Sequence, residues 1–278
     1  MTDLLKNGAF LLVLLGSFHA LARTVRRRPA SGAWRGFAAR LRARGVEQRD
    51  TAWLFGLLAV TLVPALVSGF FPAPAASAAP AASSPVAEAL AFLAGPLLFP
   101  AALALAAVLP PLLRGLDARD VFGLRGSVSG ALRLGVRWGM AMVLPLLLLG
   151  LALAGLSRLG GTEPEPQPVF RSLGASGEAP WRQLWIVLCG VLFSPLGEEA
   201  AFRGLLLPAL LRRRGVAGSV VLSSLFFAAI HLHLDAFLPL ACVGACLSLA
   251  YLATGRLLVP VAMHATYNAA SLLLAFLE

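Results

Sequence analysis

The sequence predicts an all-α, polytopic integral membrane protein of about eight transmembrane helices around a polar cavity. Three observations predict it. Of the 278 residues, 59% are apolar and 13% charged, where a soluble domain carries about a quarter charged residues. Apolar runs that approach or exceed the roughly 20 residues needed to cross a bilayer recur along the whole chain. The loops between them alternate in basic charge, as the positive-inside rule requires.

The apolar runs cover 7–22, 51–71, 86–113, 134–156, 183–211, 217–234, 236–253 and 257–277. The third and fifth are long and contain prolines (Pro96, Pro100, Pro110; Pro195, Pro208), which predicts kinks or tilts. Segment 23–50 holds nine arginines, and 114–133, 212–216 and Arg256 are also basic. Segments 72–85 and 233–235 carry no basic charge beyond histidine, and 157–182 is mixed. Basic loops on the cytoplasmic side then place both termini outside. The first run ends in Ala20-Leu21-Ala22, which resembles a signal-peptide cleavage site. Its basic cluster follows rather than precedes it, which favours an uncleaved anchor.

Two regions are expected. Residues 1–160 form an N-terminal membrane region of about four spans, and 183–277 a core of about four spans. The Pro-, Gly- and Glu-rich segment 161–180 separates them. The Ala/Pro/Ser stretch 72–85 reads as a flexible external linker. The net charge of +10 comes from arginines at the ends of apolar runs, so it signals membrane orientation and no nucleic-acid partner. Cys189, Cys242 and Cys246 all lie in apolar runs and read as small buried hydrophobes, with no disulfide framework.

Three patches place ionisable residues inside apolar runs. They are Glu198-Glu199-Ala200-Ala201-Phe202-Arg203, Phe227-Ala228-Ala229-Ile230-His231 and His264-Ala265-Thr266-Tyr267-Asn268. Such groups are costly at membrane depth, so they mark a functional site by default. Adjacent helical residues point about 100° apart, so Glu198 and Glu199 cannot share one role. Glu199 and Arg203 are four apart and can pair along one face. Glu198 is left without an obvious local partner, and a carboxylate so placed suits a general base or acid. His264 and Asn268 share a face and can together donate to an oxyanion. Plainer readings stand beside these: a charge cluster at a helix end, a hydrogen-bonded structural histidine, and polar glue between membrane helices. His233 faces away from His231 and is read as interfacial, beside Asp235.

Together, the patterns Glu-Glu-x-x-x-Arg, Phe-x-x-x-His and His-x-x-x-Asn resemble the CAAX protease and bacteriocin-processing family of intramembrane proteases, related to type II CAAX prenyl endopeptidases. The resemblance covers roughly residues 183–277 and includes the continuation Phe202-Arg203-Gly204. It implies endoproteolysis of a membrane-associated or prenylated, CAAX-like peptide or protein in a bacterial cytoplasmic membrane. By position, Glu198 and His231 would activate water, His264 and Asn268 would hold the oxyanion, and Glu199 and Arg203 would form the supporting ion pair, with Arg203 near a substrate carboxylate. No cofactor is required on this reading. The alternative is zinc on Glu198, His231 and His264, since two histidines and a glutamate are a known catalytic set; no His-Glu-x-x-His occurs. A non-catalytic scaffold or bacteriocin self-immunity protein is the main functional alternative, and a transporter using the buried polar groups is a third.

A single site also sets a geometric demand. At ~1.5 Å per residue from the cytoplasmic arginines, Glu198 lies about 21 Å deep, His231 about 25 Å and His264 about 12 Å. Tilts, kinks at Pro195 and Pro208, or a surface-lying 205–215 would have to bring them level.

Overall fold

Every regular element among the described residues is helical. The computed structural model describes residues 2–26, 33–70, 84–165, 167, 169–170 and 180–277. Most of the expected linker 72–85, and much of 161–180, lie outside these residues. The helices are α1 (Thr2–Arg26), α2 (Ala33–Arg42), α3 (Thr51–Phe70), α4 (Pro85–Leu113), α5 (Ala118–Val121) and α6 (Val128–Leu159). They continue with α7 (Pro180–Leu211), α8 (Val216–Ala229), α9 (Leu234–Thr254) and α10 (Leu258–Leu277).

Six of these are long and apolar enough to cross a membrane: α1 from Lys6, α4 from Val86, α6, α7, α9 and α10. The chain is therefore a multi-pass membrane protein. The apolar α3 fills the second expected span. The run at 217–234 forms a helix of only 14 residues, so the count of about eight is approximate.

Local chemistry sets the boundaries. Ser84 accepts from the Ala87 amide and Ser127 from the Gly130 amide, capping α4 and α6. His233 caps α9 through its Nδ1, 3.2 Å from the Ala236 amide. Gly255 ends α9 in the left-handed region, at φ 65°. The prolines at 96, 100, 110 and 111 remain within α4.

α7 is not a uniform α-helix. Two stretches, Cys189–Phe193 and Ala200–Leu206, are π-helical, flanking the short α segment Ser194–Glu199. A π turn closes i→i+5 bonds and re-aims the side chains around it.

Close backbone approach holds the bundle. Without hydrophobic drive between helices in lipid, small residues at crossings supply the packing. Gly135 and Gly139 of α6 lie against α10, where a Cβ would come within 2.5 Å of the Val259 and Met263 carbonyl oxygens. Gly197 of α7 meets α4 so closely that a Cβ would sit 2.1 Å from the Pro100 oxygen. The core at the meeting of α7, α8 and α9 is built from Phe202, Leu205, Phe227, Leu247 and Tyr251.

Candidate active site

The residues of the Glu-Glu-x-x-x-Arg patch face two different environments, as their 100° offset requires. Glu199 and Arg203 have no exposed surface. The Arg203 guanidinium donates from Nη1 to Glu199 Oε1 at 2.9 Å and from Nη2 to the Gly244 carbonyl at 2.9 Å. It also lies over the Phe227 ring, 4.6 Å from its centroid. Gly244 is needed there, because a Cβ would lie 2.9 Å from Ser224 Cα. With no exposed surface, Arg203 cannot touch a substrate; it serves the packing of Glu199.

The same Glu199 oxygen is 2.9 Å from Nδ1 of His264. One carboxylate thus joins α7 to α10 while balancing Arg203. A neutral or charged His264 donates from Nδ1 here, since the carboxylate can only accept. That fixes the ring and leaves Nε2 for the cavity.

Glu198 is held differently. Ser194, one turn earlier, donates its hydroxyl to Glu198 Oε1, while Oε2 has no partner. His231 sits in the turn beyond α8, its Nδ1 2.8 Å from the Phe227 carbonyl. That oxygen accepts only, so Nδ1 carries the proton and neutral His231 presents a bare Nε2. Asn268 donates from Nδ2 to the Gly190 carbonyl at 2.8 Å, a bond that orients the amide. Gly190 lies in the first π-helical stretch of α7.

Phe227 ties these parts together. Its ring meets His231 at 5.0 Å, His264 at 5.7 Å and Phe202 at 5.5 Å between centroids. Glu198, His231, His264 and Asn268 all line one cavity of about 450 Å³, with Ser194, Tyr267 and Ser271. Its remaining wall is largely apolar, from residues such as Ile186, Leu240 and Val243. It runs into a second, apolar hollow of about 400 Å³ against α6; Phe170, His233, Pro239, Tyr267 and Ser271 line both.

Glu198, His231 and His264 converge on one cavity despite their different counts from the arginines, and two local departures from a straight α-helix lie on the way. The 1.5 Å count assumes α-helix, but α7 carries two π stretches between its ends. His231 lies past the end of the short α8 in a turn, where the His231 amide bonds the Ala228 carbonyl. Leu232 follows with φ 50°, a left-handed conformation rare for a branched apolar residue.

Residues 180–270 match the family described as type II CAAX prenyl endopeptidase Rce1-like. In this region the chain is similar to CAAX-type endopeptidases. The match spans the whole of the Glu-Glu-x-x-x-Arg, Phe-x-x-x-His and His-x-x-x-Asn patches and supports a CAAX-type intramembrane protease in general. No curated protein and no solved structure matches the chain.

Sequence reasoning did not single out Ser194, although its spacing to Glu198 is the i,i+4 relation that paired Glu199 with Arg203. His233, read as interfacial, lines the cavity while capping α9. The three cysteines are free, with Cys189 buried. Among the described residues no group of three His, Cys, Asp or Glu is placed to hold a metal ion.

Proposed function

We propose that the chain is an intramembrane endopeptidase of the bacterial cytoplasmic membrane that cleaves a membrane-associated or prenylated, CAAX-like peptide or protein. The observation that carries this reading is the split within one dipeptide. Glu199 is closed off in an ion pair with Arg203, while Glu198 lines a cavity shared with His231, His264 and Asn268; each carboxylate keeps one buried oxygen without a partner. The apolar hollow beside it suits a substrate that arrives from lipid.

Glu198 Oε2 and the bare Nε2 of His231 accept hydrogen bonds from one water. As its oxygen attacks the scissile carbonyl carbon, a proton passes to this pair and a tetrahedral oxyanion forms. The second Nδ2–H of Asn268 donates to that oxyanion. His264 can join it as a donor only when both its nitrogens are protonated, and Glu199 supplies the counter-charge for that state. Collapse breaks the C–N bond, and the held proton goes to the leaving amine. No step is routed through a metal.

The test compares wild type with Glu198→Gln and His231→Ala in detergent on a fluorogenic peptide set, with and without chelator and added zinc. Loss of cleavage by about 10²–10⁴-fold in both variants, at unchanged melting temperature, is expected. Cleavage retained by Glu198→Gln would sink the general-base role. Chelator inhibition reversed by zinc would replace the metal-free mechanism.

A further inference from the structure

At the opposite end of the bundle lies a second concave site, unrelated to the cavity. Its wall comes from three parts of the chain: α2, the stretch from Arg119 to Arg125, and the Thr254–Arg256 turn. Five arginines line it (Arg40, Arg44, Arg119, Arg125 and Arg256) against a single carboxylate, Asp120.

These arginines divide by what they already hold. Arg44 is committed to the fold: it donates to Tyr251 Oη at 2.7 Å, to the Val121 carbonyl at 3.3 Å, and to the Gly255 carbonyl. Arg125 is paired with Asp117 and Asp120. Arg256 gives Nη2 to the Ser127 carbonyl at 2.6 Å but leaves its buried Nε without an acceptor. Arg40 and Arg119 are exposed, and among the described residues neither guanidinium has a carboxylate or carbonyl acceptor. Arg40 rests on the Phe37 ring at 4.8 Å, which steers it without neutralising it.

The floor beneath them is rigid. Gly123 and Gly255 both adopt positive φ, and a Cβ on Gly123 would lie 1.9 Å from the Gly255 oxygen. The Leu257 amide bonds the Phe122 carbonyl across the same seam, at 3.1 Å. An unneutralised pair of forked donors above a closed floor matches a phosphate, which accepts bidentate bonds from arginine.

The setting narrows the source. α4, α6, α9 and α10 all begin or end at this level, at Leu113, Val128, Thr254 and Leu258. That is the headgroup layer of the leaflet facing this end. Beside it, α2 buries Ala38 and Leu41 in the protein core and leaves Arg35 and Arg40 exposed, which adds basic charge at this level. Basic pockets between membrane helices at this depth take anionic headgroups.

We propose that this cleft binds the phosphate of an anionic phospholipid, with Arg40 and Arg119 as its ligands. The test uses the full chain in neutral detergent and short-chain phosphatidylglycerol, with phosphatidylcholine of equal chain length and inorganic phosphate as parallel probes. Binding is read by native mass spectrometry and by the shift in melting temperature. Phosphatidylglycerol should bind saturably, and binding to Arg40→Gln/Arg119→Gln should be about thirtyfold weaker. Both side chains are exposed, so that variant should keep the wild-type melting temperature without lipid. The double lysine variant Arg40→Lys/Arg119→Lys keeps the charges and loses the forks, so its binding should fall between those of wild type and the double glutamine variant. Equal response to phosphatidylcholine, or undiminished binding by the double glutamine variant, overturns the proposal. Saturation by inorganic phosphate at the same concentration, with nothing added by the lipid, assigns the cleft to a soluble phosphate instead.

Discussion

Two charged regions of this bundle obey opposite rules. Around Glu199, at membrane depth, Arg203 and His264 both meet one carboxylate oxygen and the pair has no exposed surface. At the basic end, five arginines face one aspartate and two of them hold no acceptor. The difference follows from the medium. Inside the bundle an unmatched charge costs several kcal/mol, so each must be compensated by the chain itself. At the headgroup layer, water and lipid phosphate supply what the chain omits. Glu198 lies between these extremes: one oxygen is held by Ser194, the other is buried without a partner, and the residue lines the cavity.

The sharpest way to break the comparison is to unbalance the buried set. Arg203→Met leaves Glu199 uncompensated and should destabilise the protein by about 3–5 kcal/mol. Adding Glu199→Gln should recover part of that loss, read by denaturation in mixed micelles. If Arg203→Met alone leaves stability unchanged, the pair is not compensating at depth. A smaller effect is expected at Gly197, one residue before Glu198. Gly197→Ala pushes α7 off the Pro100 carbonyl and should cost roughly 1–3 kcal/mol by overpacking, with a fall in cleavage beyond what the lost stability explains.

Smaller again is Ser194→Ala. It removes the donor that orients Glu198 without removing the carboxylate, so kcat should fall by about fivefold to tenfold with KM nearly unchanged. A change in KM alone would assign Ser194 to substrate binding. The smallest effect belongs to the exposed pair Arg125–Asp120, where hydrogen bonding to Arg125 holds the Asp120 carboxyl below its ordinary range. A depressed carboxyl stabilises the fold above its unfolded range and loses that as pH falls through the folded one. Asp120→Asn should therefore lower the melting temperature at neutral pH only slightly, because the pair is exposed, and the difference from wild type should vanish as pH falls below about 4.

Much of the scaffold is legible in the sequence because membrane helices announce themselves by length and composition. The i,i+4 spacing of Glu199 and Arg203 likewise states their pairing outright. What spacing does not state is the bond from Glu199 to His264, which joins residues on different helices across the bundle. Nor does it state the π-helical stretches of α7, since Cys189–Phe193 and Ala200–Leu206 contain no residue that demands i→i+5 bonding. Those stretches make a depth count from the arginines unreliable. The end of α8 was misplaced for a related reason: Ile230, His231 and Leu232 continue an apolar run by composition, yet they form a turn. Ser194 was within reach, one helical turn before Glu198, but serine in an apolar run carries little weight until its acceptor is known.

The shortness of α8 has a consequence for the lipid around it. Fourteen residues reach about 21 Å, against a hydrocarbon core of roughly 30 Å. Val221, Leu225 and Phe226 are nevertheless exposed on its outer side, as residues facing acyl chains would be. A mismatch of this size is relieved by thinning of the neighbouring leaflet or by water filling the missing stretch. Were α8 to cross the membrane, the barrier would be locally shallow where the chain turns through His231, Leu232 and His233. A polar peptide segment entering there would cross only a fraction of the dielectric wall that a full bilayer presents.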